Sequence, residues 1–135
     1  MKKLVTLIAT IGAVLLGLTV LTGCSSSSGS VTNVDAQTFL STASQPGVVV
    51  LDVRTAGEYA AGHLDGAVNV DVEAPTFDSQ IAKLDKTTAY AVYCHSGRRS
   101  TLATDAMAKA GFTKVSNLSG GISDLAAAGG TVVTS

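Results

Sequence analysis

The chain has 135 residues, with nine Lys and Arg against ten Asp and Glu, a net charge of −1, no Trp, three Tyr and three Phe. Such a near-neutral, aromatic-poor composition carries no basic stripe and no stacking platform, which excludes a nucleic-acid binder that relies on phosphate contacts or base stacking. The length allows one domain with a core of its own.

In chain order, Lys2 and Lys3 precede an apolar run from Leu4 to Thr22, closed by Leu21-Thr22-Gly23-Cys24. A basic start, an apolar centre and a small-residue cleavage site form the pattern of a secretory leader. The closing cysteine resembles the lipobox of bacterial lipoproteins. That resemblance implies a signal peptide over 1–23, acylation of Cys24 and an extracytoplasmic domain lipid-anchored to the bacterial cell membrane. The alternative is an uncleaved anchor, since 19 residues just span a bilayer. Residues 24–30 form a Ser-rich tether with nothing to bury. The globular domain is expected over 31–135, and a monomer is expected. Without Lys2 and Lys3, seven basic residues face ten acidic ones, a net charge of −3.

Asp35 to Leu40 reads as a short helix capped by Asn33 or Asp35. Val48-Val49-Val50-Leu51 follows Pro46-Gly47 and has the continuous apolar character of a strand buried on both faces. Thr55 caps a short helix through Glu58 to Ala61, stopped by Gly62. The Asp65-Gly66 turn then leads into a strand at Ala67-Val68-Asn69-Val70. Phe77, Ile81 and Leu84 mark one helical face, and Ala89 to Tyr93 is a further buried strand. Leu102, Ala106, Met107 and Ala110 recur at helical spacing within Thr101 to Ala110. Lys114 to Leu118 is a strand, and Gly120-Gly121 opens a last helix through Ala128. Strands alternating with helices predict an α/β fold with a mainly parallel sheet, whose sites lie beyond the carboxyl ends of the strands.

Cys94 falls at such an end, in Cys94-His95-Ser96-Gly97-Arg98-Arg99-Ser100. A thiol on a strand-to-helix turn meets several backbone N–H groups and the positive end of a helix dipole, and Arg98 and Arg99 lie close by. These features lower a thiol pKa and hold a second charged atom beside it. If Cys24 carries lipid, Cys94 is the only remaining thiol, and an unpaired cysteine in an exported chain signals reactivity or an intermolecular partner.

These motifs together resemble the rhodanese domain. The resemblance rests on Leu51-Asp52-Val53-Arg54, Glu58-Tyr59, Gly62-His63-Leu64-Asp65-Gly66-Ala67-Val68-Asn69-Val70, the Cys94 loop with Gly97, Arg99 and Ser100, and Gly120-Gly121-Ile122. It implies a single rhodanese-like domain with a central five-stranded parallel sheet flanked by helices. It also implies a sulfurtransferase in which Cys94 takes sulfur from a donor such as thiosulfate as a persulfide. A thiol, sulfite or cyanide would accept that sulfur, and no metal or organic cofactor is called for. The loop His95, Ser96, Gly97, Arg98, Arg99 and Ser100 would bind substrate, its backbone N–H groups holding the outer sulfur and Arg99 supporting the loop. Asp52, Arg54 and Glu58 would support it, Glu58 pairing with Arg54 one helical turn away. His63 reads as a structural hydrogen-bonder, and His95 and Arg98 as an outward rim that shapes donor approach. Four residues separate Cys94 from Arg99, whereas related dual-specificity phosphatases carry five, so the spacing favours sulfur over phosphate. Leu125 stands where the family usually has an aromatic, which leaves the packing of the last helix open. A non-turnover sulfur carrier and a thiol redox sensor remain as alternatives.

Overall fold

A computed structural model describes residues 30–135. The leader, Cys24 and the tether up to Gly29 lie outside the described residues, and so do the expectations attached to them. The elements run β1 (Val31–Val34), α1 (Ala36–Ala43), β2 (Val48–Asp52), α2 (Ala56–Ala61), β3 (His63–Leu64), β4 (Val68–Asn69) and α3 (Phe77–Ile81). They continue with β5 (Ala89–Tyr93), α4 (Arg98–Lys109), β6 (Val115–Leu118), α5 (Ile122–Ala127) and β7 (Val132–Val133). Five strands form one parallel sheet in the order β1-β6-β5-β2-β4, as the family resemblance implies.

Strand alternation builds a core on each face of this sheet. Leu51, Val53, Val92 and Cys94 pack with Phe77 and Ile81 of α3 and Ala103 and Met107 of α4. On the opposite face Ala91, Tyr93 and Leu118 pack with Phe39 of α1 and Leu125 of α5. Leu125 is fully buried there, so the last helix is anchored without the aromatic.

Four features depart from the sequence reading. β1 has little apolar signature, its centre being Thr32-Asn33, and it forms an edge strand that hydrophobic patterning does not mark. Asn33 therefore lies in the sheet, and Asp35 alone caps α1, accepting the Thr38 N–H at 2.8 Å. The helix expected through Leu84 ends at Ile81, and Leu84 closes the following turn. α4 starts at Arg98, earlier than expected, and buries Ser100, Ala103, Thr104 and Met107, leaving Leu102 54% exposed. Small and polar residues make that buried face, and hydrophobic periodicity does not register them. The fourth departure is a two-stranded antiparallel ribbon of β3 and β7, which ties the chain end back beside α2.

Candidate active site

β5 ends at the centre of the sheet and hands Cys94 to the loop. Pleating places its side chain on the Val92 face, beneath α4, where the residue is fully buried. Gly97 has φ +96°, a left-handed conformation that costs glycine nothing and lets the chain double back before α4. Its N–H then donates to Cys94 Sγ at 3.0 Å. The neutral thiol donates to the Ser100 hydroxyl, Sγ to Oγ 3.6 Å, and that hydroxyl donates to the Gly97 carbonyl at 3.2 Å. Burial pushes the Cys94 thiol up, but the Ser100 side chain and the backbone N–H groups of Ser100, Ser96 and Gly97 outweigh it. The thiol is held below its ordinary value.

The double glycine lies directly behind this loop. A Cβ on Gly121 would overlap the His95 carbonyl oxygen, and one on Gly97 would meet the Ser119 carbonyl at 3.1 Å. The backbones of the two loops therefore touch, and Ile122 N–H donates to the Cys94 carbonyl at 3.1 Å. The glycines of both motifs are required by one close approach.

Asp52 and Arg54, delivered by the neighbouring strand β2, form a buried ion pair at 2.6 Å. Arg54 also donates to the Gly62 carbonyl at 2.6 Å, while Tyr93 OH donates to Asp52 Oδ2 at 2.7 Å and accepts from Leu64 N–H at 2.9 Å. The Asn69 amide donates to the carbonyls of Asp52 and Arg54 at 3.0 and 2.8 Å. Burial and the Asp52 hydrogen bond both raise the Tyr93 pKa, so the phenol stays protonated as a donor. Sequence reasoning missed Tyr93 and Asn69; their signal was polar atoms at positions that strand alternation turns inward.

The expected Glu58–Arg54 pair does not form. Arg54 is turned toward Asp52, and Glu58 instead takes Arg99 through two 2.8 Å contacts. Glu73, also unread from sequence, adds a third carboxylate contact to Arg99 at 3.2 Å. The Arg99 hydrogen bond, with help from Thr55, holds the Glu58 carboxyl down at about 2. Glu58 also accepts the Thr55 N–H at 3.2 Å and the Thr55 hydroxyl at 2.9 Å, completing the capping box that starts α2. His63 is buried, stacked on Tyr59 at 3.7 Å, with Nδ1 2.8 Å from the Tyr59 carbonyl.

His95, Ser96 and Arg98 are exposed. Consecutive residues His95 and Ser96 line different concavities. His95 lines a groove of about 420 Å³ together with Ala61, Ile122, Ala126 and Val132, and Arg54 and Glu58 line it as well. Ser96 lines a polar hollow of about 140 Å³ with Arg98, Arg99 and Glu73. The thiol thus belongs to a loop set between an apolar and a charged concavity, in a cradle suited to an anionic sulfur. No group of side chains with metal-binding potential occurs among the described residues.

The chain matches the rhodanese-like domain family over residues 35–128. It is 34% identical over 76 residues to thiosulfate sulfurtransferase PspE of Escherichia coli (strain K12), covering 56% of this chain and 72% of that protein. It is 36% identical over 75 residues to the putative sulfur carrier protein YrkF of Bacillus subtilis (strain 168), spanning 56% of this chain and 40% of that one. Among solved structures, the crystal structure of the Alr3790 protein from Anabaena sp. superposes with a TM-score of 0.68 at 28% identity, over 76% of this chain and 82% of that one.

Proposed function

The chain belongs to the rhodanese-like domain family, and from that premise we propose that it moves a sulfane sulfur from a donor such as thiosulfate to a thiophilic acceptor through a persulfide on Cys94. The observation that carries this reading is the buried Cys94 thiol, held by the Gly97 N–H at 3.0 Å and kept below its ordinary pKa by the loop. In the first half-reaction the Cys94 thiolate attacks the sulfane sulfur of thiosulfate. The sulfur–sulfur bond of the donor breaks, sulfite leaves, and the new outer sulfur carries the negative charge. The N–H groups of the His95–Ser100 loop stabilise that charge as oxyanion-hole donors stabilise oxygen. An acceptor then removes the outer sulfur and regenerates the thiolate, a covalent ping-pong sequence. Asp52, Arg54, Glu58 and Arg99 hold the loop in register and stay out of the bond changes.

The test is intact mass of the full chain after incubation with thiosulfate and removal of the excess. A gain of one sulfur atom, absent in Cys94→Ser, supports the reading; an unchanged mass with both thiosulfate and polysulfide sinks it. Similarity to a putative sulfur carrier favours a second reading, in which the chain loads but delivers to one protein partner. Stoichiometric persulfide with negligible thiocyanate formation from cyanide would select it. We further propose that Cys24 carries lipid and tethers the domain outside the cell, on the strength of Lys2, Lys3, the apolar run and Leu21-Thr22-Gly23-Cys24. Radiolabelled palmitate incorporated into the chain but not into Cys24→Ala would support the anchor; equal labelling of the two would refute it.

A further inference from the structure

The acceptor is the open half of the reaction, and the two concavities beside the loop offer it different chemistry. The polar hollow, with Arg98 beside an Arg99–Glu73 pair, offers charge to a small polar acceptor. The groove does not. Both charged groups that line it are already engaged: Arg54 by Asp52 and the Gly62 carbonyl, Glu58 by Arg99 and Thr55. What remains is aliphatic wall from Ala61, Ile122, Ala126 and Val132, with exposed His95 and Ser123 as polar edges. It is an open groove whose volume of about 420 Å³ falls in the range of small-molecule sites and far exceeds what sulfite or cyanide fills. It abuts the backbone of the Cys94 loop: His95, the residue after Cys94, lines it, and the Ile122 N–H holds the Cys94 carbonyl.

We propose that this groove is the acceptor subsite and that it takes a small organic thiol with an uncharged, apolar body in preference to sulfite or cyanide. The proposal rests on the persulfide reading above. The acceptor thiol attacks the outer sulfur of the Cys94 persulfide as its thiolate. A bond forms between the two sulfurs, the bond to Cys94 breaks, and its electron pair returns to Sγ. The proton released by the thiol ends on the product persulfide, so Cys94 leaves as thiolate and no outside oxidant or reductant enters.

The experiment uses the full chain, loaded with thiosulfate and mixed with 3-mercaptopropanol, 4-mercaptobutanol or 6-mercaptohexanol, thiols of closely similar acidity, with sulfite as reference. The rate of persulfide loss should rise roughly two- to fourfold per added methylene that the groove covers. In Ala126→Glu the preference for 6-mercaptohexanol over sulfite should fall at least about tenfold, the converted cost of uncovering two methylenes. A methylthio ether of hexanol, which cannot accept sulfur, should shift the NMR methyl signals of Ile122, Ala126 and Val132. A chain that loads sulfur but shows no dependence on thiol length and no methyl shifts overturns the groove assignment alone. A chain that never forms the persulfide overturns the sulfur-transfer reading, and the acceptor assignment falls with it.

Discussion

Cys94 is a buried thiol whose neighbours reverse what burial does to it. Ser100 is the side chain in that balance, since it touches Sγ and its N–H also faces the sulfur. Ionisation lets its hydroxyl donate to the thiolate, which is the reactive form. Removing the hydroxyl in Ser100→Ala should raise the thiol pKa, so the pH profile of persulfide loading should move to higher pH, with several-fold slower loading near neutrality. An unmoved inflection would show that the backbone N–H groups suffice. Tyr93 has a different task on the opposite face of the sheet. Tyr93→Phe leaves the buried Leu64 N–H without an acceptor and Asp52 short of one donor. Its expected cost is about 1–3 kcal/mol, measured as a lower urea midpoint. Loading of whatever fraction stays folded should persist, because Tyr93 touches neither Sγ nor the groove.

At the scale of elements, the site is made by two loops, one after β5 and one after β6, packed backbone to backbone. Gly121→Ala would drive a methyl into the His95 carbonyl. Overpacking of this kind costs about 1–3 kcal/mol, and it should also displace the cradle, so that loading falls far more than the melting temperature alone would suggest. Loading at the wild-type level would contradict the close packing of the two loops. The glycines were visible in the sequence as motifs, but their shared reason was not, because Gly97 and Gly121 meet only in space. The Glu58–Arg99 pair was hidden for the same reason: local helical spacing pointed to Arg54, yet Arg54 turns to the buried Asp52 carboxylate, and the partner of Glu58 comes from α4. The apolar strands β2 and β5 were legible because burial on both faces writes itself as a continuous run. The buried stripe of α4 was not, being made of Ser100, Ala103 and Thr104 beside one Met. Leu125 showed as a departure whose consequence only the core could settle; it is wholly buried, and Leu125→Ala should cost about 2–5 kcal/mol in chemical unfolding.

Across the whole molecule, Arg99 joins three separate parts: Glu58 of α2, Glu73 of the segment after β4, and α4 itself. This makes the cluster a source of pH-dependent stability. The Glu58 carboxyl has a folded pKa of about 2 against an ordinary 4.5. A depressed carboxylate contributes stability that is fully present above its unfolded value and is lost as pH falls through the folded one. The window is therefore about pH 4.5 down to about 2. The Glu58 side chain is 35% exposed, so solvent screening reduces the gain to about 1–2 kcal/mol. Asp35 and Asp85 are held low by Thr38 and Thr87 and lose stability over acid pH as well. Comparison with Glu58→Gln cancels those contributions, since both chains carry them. Urea midpoints measured from pH 6 to pH 2 should show the variant less stable by about 1–2 kcal/mol at pH 6. The two curves should converge toward the acid end, as protonation of Glu58 does to the wild type what the substitution has already done. Parallel curves would mean that Arg99 is held chiefly by Glu73, and the carboxylate shared between the capping box and the Cys94 loop would lose its place as the acid-sensitive joint.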